Sequence, residues 1–367
     1  MSIIEKIKKG KKEKKSSAIT QKNIEESREE ILANGKKFRY PFQYAKHRLV
    51  INTILIAIVA LIAFTVVGWL ELYKIQSTSE VVYRFTNALG LPVAEVDGHK
   101  VRYSDYLLLF RSSIASIEYQ SGKFDDSDDS KSQISHYKRQ AMNEAEDYSY
   151  ALAKAEELGI KVSDEEIDAV IEEHKMINGE RRSDDVFEEI VKDNFGLSMR
   201  EYRRLVMLSL TKRKVAEEID SEAKNLANEI KGKLAQNGGN MEEVANGYQN
   251  NMLISYEKTD TAVTVSNLDS GRAAKANELE NAGDISEPFV SKNGDGYYIV
   301  KLISKADGKV SYASIWIRFS KLADELQKIR EDGKVKEYIT LEVIGGEEEG
   351  ENDKTESAEP EAEASGN

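Results

Sequence analysis

The sequence predicts an α+β protein, mostly helical, with a single N-terminal transmembrane helix and a small α/β module towards its C-terminus. Three features predict it. Residues 49–70 (LVINTILIAIVALIAFTVVGWL) contain no charged side chain. From Ser77 to Gln236, apolar residues recur at helical spacing between capping residues and glycines. After Gly238-Gly239 the period changes, and short apolar runs alternate with Asn-Gly and Asp-Gly turns.

The apolar run comes first. At about 1.5 Å per residue it makes a helix of roughly 33 Å, enough to cross the hydrocarbon core of a bilayer. Arg48 and Glu71 close it; Trp69 and Tyr73 mark one interface, Phe42 and Tyr44 the other. A buried helix of a soluble protein is the plain alternative. A cleaved signal peptide fits less well, because such cores run to about 7–15 residues and no small-x-small site follows. Residues 1–48 carry 14 Lys+Arg against 6 Glu, a net of +8; the remaining 38 basic and 59 acidic residues give −21, summing to −13. Basic residues beside a first span stay cytoplasmic, which puts the arm 1–48 inside and residues 74–367 outside. The run Lys6 to Lys15 therefore reads as topology and attraction to anionic lipid rather than as nucleic-acid binding. Low apolar content predicts disorder for the arm and for the acidic tail 347–367. The chain has no cysteine, which excludes disulfides, thiol nucleophiles and Cys-based metal sites. The outer part must then be held by its core alone, for which its length suffices.

The outer chain follows in order. Ser77 and Glu80 form a capping box for a short helix with Val81, Val82, Phe85 and Leu89 on one side, stopped by Gly90 before Pro92. Asp97-Gly98 lies between VAEV and HKVR and predicts a two-residue hairpin. Ser104 caps a helix carrying Tyr106, Leu107, Leu109, Phe110, Ile114 and Ile117. The run DDSDDS (125–130) invites a calcium reading, but an EF-hand needs Gly at loop position 6 and Glu at position 12. Counting from Asp125 gives Ser130 and His136, and from Asp126 gives Lys131 and Tyr137, so a solvated acidic loop is predicted. Helices then span about 132–158, closed by Gly159; from Ser163-Glu166 to His174; from Val186 to Asn194 after an Asn178-Gly179 turn; from Ser198-Glu201 past Val215; and 222–236. Residues 251–270 are rich in Thr, Val and Asn, and 273–281 read as helix. Strands are predicted at Phe289-Val290, Tyr297 to Ile303 and Val310 to Phe319, then an amphipathic helix over 320–331 and a strand over Tyr338 to Ile344.

Three of these stretches resemble known domains. VAEVDGHKVRYSDYLLLF (93–110) and ALAKAEELGIKVSDEEIDAVI (151–171) are similar to the SurA/PrsA-type chaperone domain, and GDISEPFVSKNGDGYYIVKL (283–302) resembles the last two strands of the parvulin (PpiC-type) peptidyl-prolyl isomerase module. The resemblance implies extracytoplasmic folding factors that hold or isomerise newly exported chains. It divides the outer chain into a SurA-N-like helical chaperone domain (74–220), a parvulin-like module (221–319) and a C-terminal helix and strand packing back (320–346).

The module departs from the family pattern. NMEEVA (Asn240 to Ala245) resembles the family's F-x-x-L-A helix with Met241 at the Phe position, but no opening His-Ile-Leu-Val strand precedes it. Ser314-Ile315-Trp316-Ile317 looks like that strand moved to the C-terminal end, a permuted module; the alternative sends 310–344 back onto the chaperone domain. In the family, two histidines on the first and last strands shape the proline pocket. Here those positions are Ser314 and Tyr298, and no histidine falls between 175 and 367. Tyr298 reads as a half-buried strand aromatic with its hydroxyl in water, and 251–270 offer no counterpart to the family's Asp or Cys facing the proline. His174 reads as a surface or satisfied core residue.

Three functions follow. The first is a membrane-anchored holdase for unfolded exported polypeptides, binding them through adaptable apolar side chains; the candidates are Met142, Tyr148, Tyr150, Met176, Met199, Tyr202, Met207, Met241, Phe289 and Trp316. Core packing is the plain alternative for each. The second is an active prolyl isomerase, and the third a non-catalytic cell-surface scaffold. No cofactor or metal is expected, and the partners expected are unfolded chains and membrane lipid, the latter through 49–70 and the basic arm, with no nucleic acid.

Overall fold

The uncharged run forms one continuous helix, α1 (Arg48–Tyr73), long and apolar enough to cross a membrane, with none of its apolar window buried. Thr53 and Thr65 donate their hydroxyls to the carbonyls of Leu49 and Ile62, so neither is left without a partner in an apolar surrounding. This computed structural model describes residues 21–22, 24–32, 48–177, 180–267 and 269–341; the rest of the basic arm with Phe42 and Tyr44, the Asn178-Gly179 turn and the acidic tail lie outside them. Residues 1–71 and 72–367 are separate compact units.

The second unit opens with α2 (Glu80–Leu89). Its cap is Ser79, two residues later than expected: the Ser79 hydroxyl accepts from Val82 N, and Gly90 ends the helix at φ 62°. The inward side is only partly the one expected, with Val82 and Phe85 packed against the core. Tyr83 and Thr86 are buried while Val81 and Leu89 are exposed, because Tyr83 lays its ring beneath the Arg111 guanidinium, 5.0 Å away. The hairpin β1 (Pro92–Val96) and β2 (His99–Arg102) forms as predicted, with Asp97 and Gly98 both left-handed at φ 48° and 86°. Helix α3 (Tyr103–Ser121) follows without a side-chain cap, and Ser104, expected to supply one, is buried in its first turn with its hydroxyl unpartnered among the described residues.

The acidic run is a loop only in its first half, 125–127; the second half is helical. Ser127 caps α4 (Asp128–Leu158), Asp128 and Asp129 fill its first turn, and Asp125 accepts from the hydroxyls of Ser127 and Ser130. Carboxylates there face the positive end of the helix dipole, which offsets their mutual repulsion. Next come α5 (Asp164–His174), β3 (Met176–Ile177), β4 (Glu180–Arg181), α6 (Asp184–Phe195) and α7 (Met199–Ile219). The capping boxes Ser163/Glu166 and Ser198/Glu201 are both closed. One core joins these helices, with Tyr103, Tyr106, Leu107, Leu108, Met142 and Leu197 at most 1% exposed.

A second body begins at α8 (Ser221–Gln236) and α9 (Met241–Asn246) and continues through β5 (Ile254–Lys258), β6 (Val263–Thr264), α10 (Arg272–Glu278), β7 (Phe289–Val290), β8 (Gly296–Ala306) and β9 (Lys309–Arg318). The sheet order is β5-β9-β8-β7, antiparallel throughout, with β6 also on β9. Ile299, Ile315 and Ile317 face Ala227, Ile230 and Leu234 of α8 with Met241, while Val300, Leu302 and Tyr312 face Ala273 and Ala276 of α10. Both faces being covered explains the almost unbroken apolar run of β8. The Asp307-Gly308 turn (φ 53° and 71°) folds β9 beside β8 and into the middle of the sheet.

The chain then returns. Helix α11 (Lys321–Glu331) buries Leu322, Leu326 and Ile329 in the helical core, and β10 (Val335–Glu337) pairs antiparallel with β1. Residues 310–344 thus do both things that the sequence leaves open, dividing near residue 320. The last strand lies earlier than the expected Tyr338 to Ile344: Ile339 and Leu341 are core residues of the helical body outside any strand, and Ile344 lies outside the described residues.

The returning segment is clasped to α4. Arg330 reaches Asp147 at 2.9 Å and Glu146 at 3.4 Å, Arg139 pairs with Glu337 at 2.5 Å, and the Tyr150 hydroxyl donates to Glu325 at 2.9 Å. Glu146 is 2% exposed with Oε1 unpartnered among the described residues. Burial, then the nearby Glu337 carboxylate, push its pKa up to about 7, against the opposing pull of Arg330 and Arg139. Because the folded pKa lies above the unfolded value of 4.5, this site's contribution is fully favourable below the unfolded value and is lost as pH rises through about 7. The thermal midpoint should therefore fall between pH 5 and 8 more steeply for the native chain than for Glu146→Gln. Parallel pH profiles for the two would refute the assignment.

Candidate functional site

The two positions carried over from the family lie on neighbouring central strands but do not face one another. Tyr298 of β8 stands opposite Trp316, and Ser314 of β9 opposite Val300. Alternate residues share a face, so Tyr298, Val300, Tyr312, Ser314 and Trp316 all point to the α10 side. Tyr298 is 5% exposed rather than half-buried with its hydroxyl in water. Its ring stacks on Trp316 (5.9 Å, 7°) and lies against Phe289 (6.2 Å), and this packing is what removes it from solvent. Burial, then Asp295, raise its phenol pKa, so it stays neutral at ordinary pH.

The gap between Tyr298 and Ser314 is filled by Arg272, the first residue of α10. Its guanidinium lies 5.2 Å from the Tyr298 ring centroid and 5.8 Å from that of Tyr312. It ion-pairs with Glu257, donates to the Asp269 carbonyl at 2.9 Å, and approaches the Ser314 hydroxyl at 3.4 Å. Asp269 accepts from the Tyr312 hydroxyl at 2.6 Å and from Ala273 N, which seats the start of α10. A permanent cation thus occupies the space between Tyr298 and Ser314. The sequence reading missed these acids: Glu257 stands directly across from Ser314 on β5. The alternation of Ile254-Ser255-Tyr256-Glu257-Lys258 is the signal that could have placed it.

On the far side of Trp316 lies a cleft of ≈ 350 Å³ between the helical body and the sheet. Tyr148 of α4, Trp316, Phe319 and Leu322 give it apolar walls; Lys212 and Arg213 of α7 and Arg318 give it cations, and Asp147 and Asp295 carboxylates. Arg318 lies over the Trp316 ring at 4.6 Å, and Lys212 covers Tyr148 at 5.5 Å while pairing with Asp147. Two glycines hold the walls this close. A Cβ on Gly296 would sit 2.2 Å from Ile317 O and 2.7 Å from Trp316 Nε1; one on Gly294 (φ 72°) would sit 2.7 Å from Arg213 Cγ. The Trp316 Nε1 has no hydrogen-bond partner among the described residues.

Of the ten apolar candidates, two, Tyr148 and Trp316, come together on this cleft. Met142, Tyr150 and Met241 are core residues, at most 5% exposed, and present no surface; their helical positions are those of the inward stripe. Met199, Tyr202 and Met207 pack half-buried on the helical core, and Phe289 on the α10 side of the sheet. Met176 is exposed on β3, away from the cleft. His174 is satisfied: its Nδ1 lies 2.8 Å from the Tyr202 hydroxyl, and burial lowers its pKa. The sequence reading missed Phe319, at the end of the predicted strand 310–319, and Leu322, to which the amphipathic pattern of 320–331 pointed.

Residues 42–216 match the family model of the SurA-like N-terminal domain, and residues 206–304 that of the PPIC-type PPIASE domain. No curated protein matches the chain significantly. The second match opens inside α7 and ends before β9, so the strand at the centre of the sheet lies outside it. A SurA-like helical domain followed by a parvulin module makes this chain a member of the SurA/PrsA-type family of chaperones and prolyl isomerases.

Proposed function

We propose that this protein is a membrane-anchored, extracytoplasmic holdase that binds unfolded exported polypeptides in the cleft around Trp316 and has no appreciable prolyl isomerase activity. The observation that carries the binding reading is the cleft itself: apolar walls of Tyr148, Trp316, Phe319 and Leu322 beside cations and carboxylates. Such a lining takes varied side chains while its polar rim serves a client's backbone. The anchor reading is supported by α1 and by the charge difference of +8 before it against −21 after it.

The case against isomerisation is physical. The reaction needs no covalent chemistry, only a site that favours the twisted amide over the planar one, against an uncatalysed barrier of about 18–20 kcal/mol. An apolar slot and well-placed donors do this. Here the slot holds Arg272, the paired imidazoles are absent from the sequence after residue 174, and Tyr298 is stacked on Trp316 and packed against Phe289.

Three measurements test this reading. Protease added to intact cells should remove the C-terminal tail and spare the basic arm; a tail protected until lysis would reverse the orientation. The full chain in detergent micelles should suppress aggregation of an unfolded model protein at near-stoichiometric ratios without ATP. Trp316→Ala should weaken that suppression by about ten-fold or more, the usual scale for a buried aromatic anchor; no suppression by the native chain would favour a scaffold instead. In a proline-limited peptide assay the rate should stay at the uncatalysed tens of seconds. A clear acceleration that Tyr298→Phe abolishes would make the chain an isomerase after all.

A further inference from the structure

The cleft's cations are unevenly matched. Lys212 is paired with Asp147, and Asp147 is shared with Arg330. Asp295 accepts from the Ser291 hydroxyl. Arg213 and Arg318, by contrast, have no carboxylate within ion-pair distance among the described residues: Arg213 reaches only the Lys292 carbonyl at 3.4 Å, and Arg318 lies over Trp316. Two guanidiniums without an ion-pair partner on one cleft stand out in an outer chain with 58 acidic and 38 basic residues. They call for an anionic occupant, since Arg pairs with carboxylates through a planar fork of donors.

The chain carries such an occupant. Residues 347–367 contain nine Asp+Glu and one Lys, a net of −8, and no apolar residue larger than Ala or Pro. The described part of the chain ends at Leu341, whose carbonyl accepts from Arg139 Nη2 of α4 at 3.4 Å. Asp147 and Tyr148, on the cleft wall, stand eight and nine residues further along α4, about 12–14 Å at the rise of a helix. The residues from 342 to 347 can span roughly 20 Å when extended, at about 3.3 Å each. The acidic run therefore begins within reach of both guanidiniums. Tethering at this distance gives an effective concentration on the order of millimolar, so even weak ion pairs suffice for occupancy.

We propose that residues 347–367 dock into the cleft at Arg213 and Arg318 and compete there with clients. The proposal rests on the cleft being the client site. A segment without large apolar side chains gains little from the Trp316 and Tyr148 walls, so an apolar client displaces it while a folded, acidic surface does not. The tail thereby sets a threshold for clients rather than blocking them.

The test compares the full chain with a chain stopped after Gly346, both in detergent micelles; this deletion removes no described residue. Client affinity should rise about fivefold on deletion at low salt, as expected for one or two exposed ion pairs, and the difference should vanish in roughly 0.5 M salt. With Trp69→Phe in place, Trp316 is the remaining tryptophan. A synthetic 347–367 peptide added to the shortened chain should then shift Trp316 emission and compete with client, and Arg213→Glu with Arg318→Glu should abolish the shift. If the shortened chain binds client no better than the full chain and the peptide leaves Trp316 unchanged, the tail proposal falls while the holdase reading stands. If neither chain binds client yet the peptide still shifts Trp316, the holdase reading falls and the tail site remains. A tail effect that grows with protein concentration would overturn docking within one chain in favour of docking between copies.

Discussion

The fold turns on one buried carboxylate. The chain crosses between the helical body and the sheet twice, outward at Ile219–Ser221 and back at Phe319–Lys321, and Asp220 is bonded to both crossings. Its Oδ1 accepts from Ala223 N at 2.9 Å, capping α8, and its Oδ2 accepts from Ser320 N at 2.8 Å and Lys321 N at 3.2 Å, at the start of α11. At 4% exposure the charge has lost most of its water, and only the backbone donors of two helix starts replace it. Either helix alone would leave the carboxylate half-satisfied. With both, the two crossings are held side by side, and the cleft wall of Phe319 and Leu322 is set next to α7. The geometry of the proposed binding site therefore descends from a residue that does not line it.

A second constraint comes from strand order. The strand β9, central in the sheet, is last in sequence, and its partners β5, β6 and β8 all precede it. Until the chain has passed Arg318, Ile299 and Tyr297 on one face and Val300 and Leu302 on the other have no central strand to align them. Closing β5 onto β9 joins residues some 60 positions apart, Ile254 with Ile317, which is the slow, entropically costly kind of contact. The same strand continues into α11, so completing the sheet also commits Leu322, Leu326 and Ile329 to the helical core. Sheet and body are coupled through one covalent segment, and the clasp of Arg330 on Glu146 and Asp147 finishes it.

Much of this was legible because some residue types leave the backbone few choices. Asp97-Gly98 and Asp307-Gly308 specify left-handed turns, and both appear. Ser163/Glu166 and Ser198/Glu201 specify helix starts by reciprocal bonds, and both close. The misreadings share a different cause. Ser77 and Ser79 are equally good caps in isolation, and only the packing of Tyr83 under Arg111 selects the second. The acidic run 125–130 looks like a loop by composition, yet the same carboxylates suit a helix N-terminus when a serine stands at the right place. The burial of Tyr298 depends on Phe289 and Trp316, and the filling of its pocket on Arg272; these three contacts come from separate segments and no local pattern joins them. Pairings set by the chain nearby could be read; pairings set by the sheet could not.

The two halves of the site illustrate opposite uses of a cation beside aromatic rings. Arg272 is largely enclosed: two ring faces lie against it, and the Glu257 carboxylate and a carbonyl accept from its Nη1 and Nε, so it behaves as packing. Arg318 is open: one face rests on Trp316, and its donors point to no carboxylate among the described residues. Between them Trp316 and Tyr298 stack in parallel, so the closed side braces the wall of the open one. The Tyr298 stack thus supports one face of Trp316, and an aromatic wall held in place in this way loses little entropy when a mobile chain is laid against it.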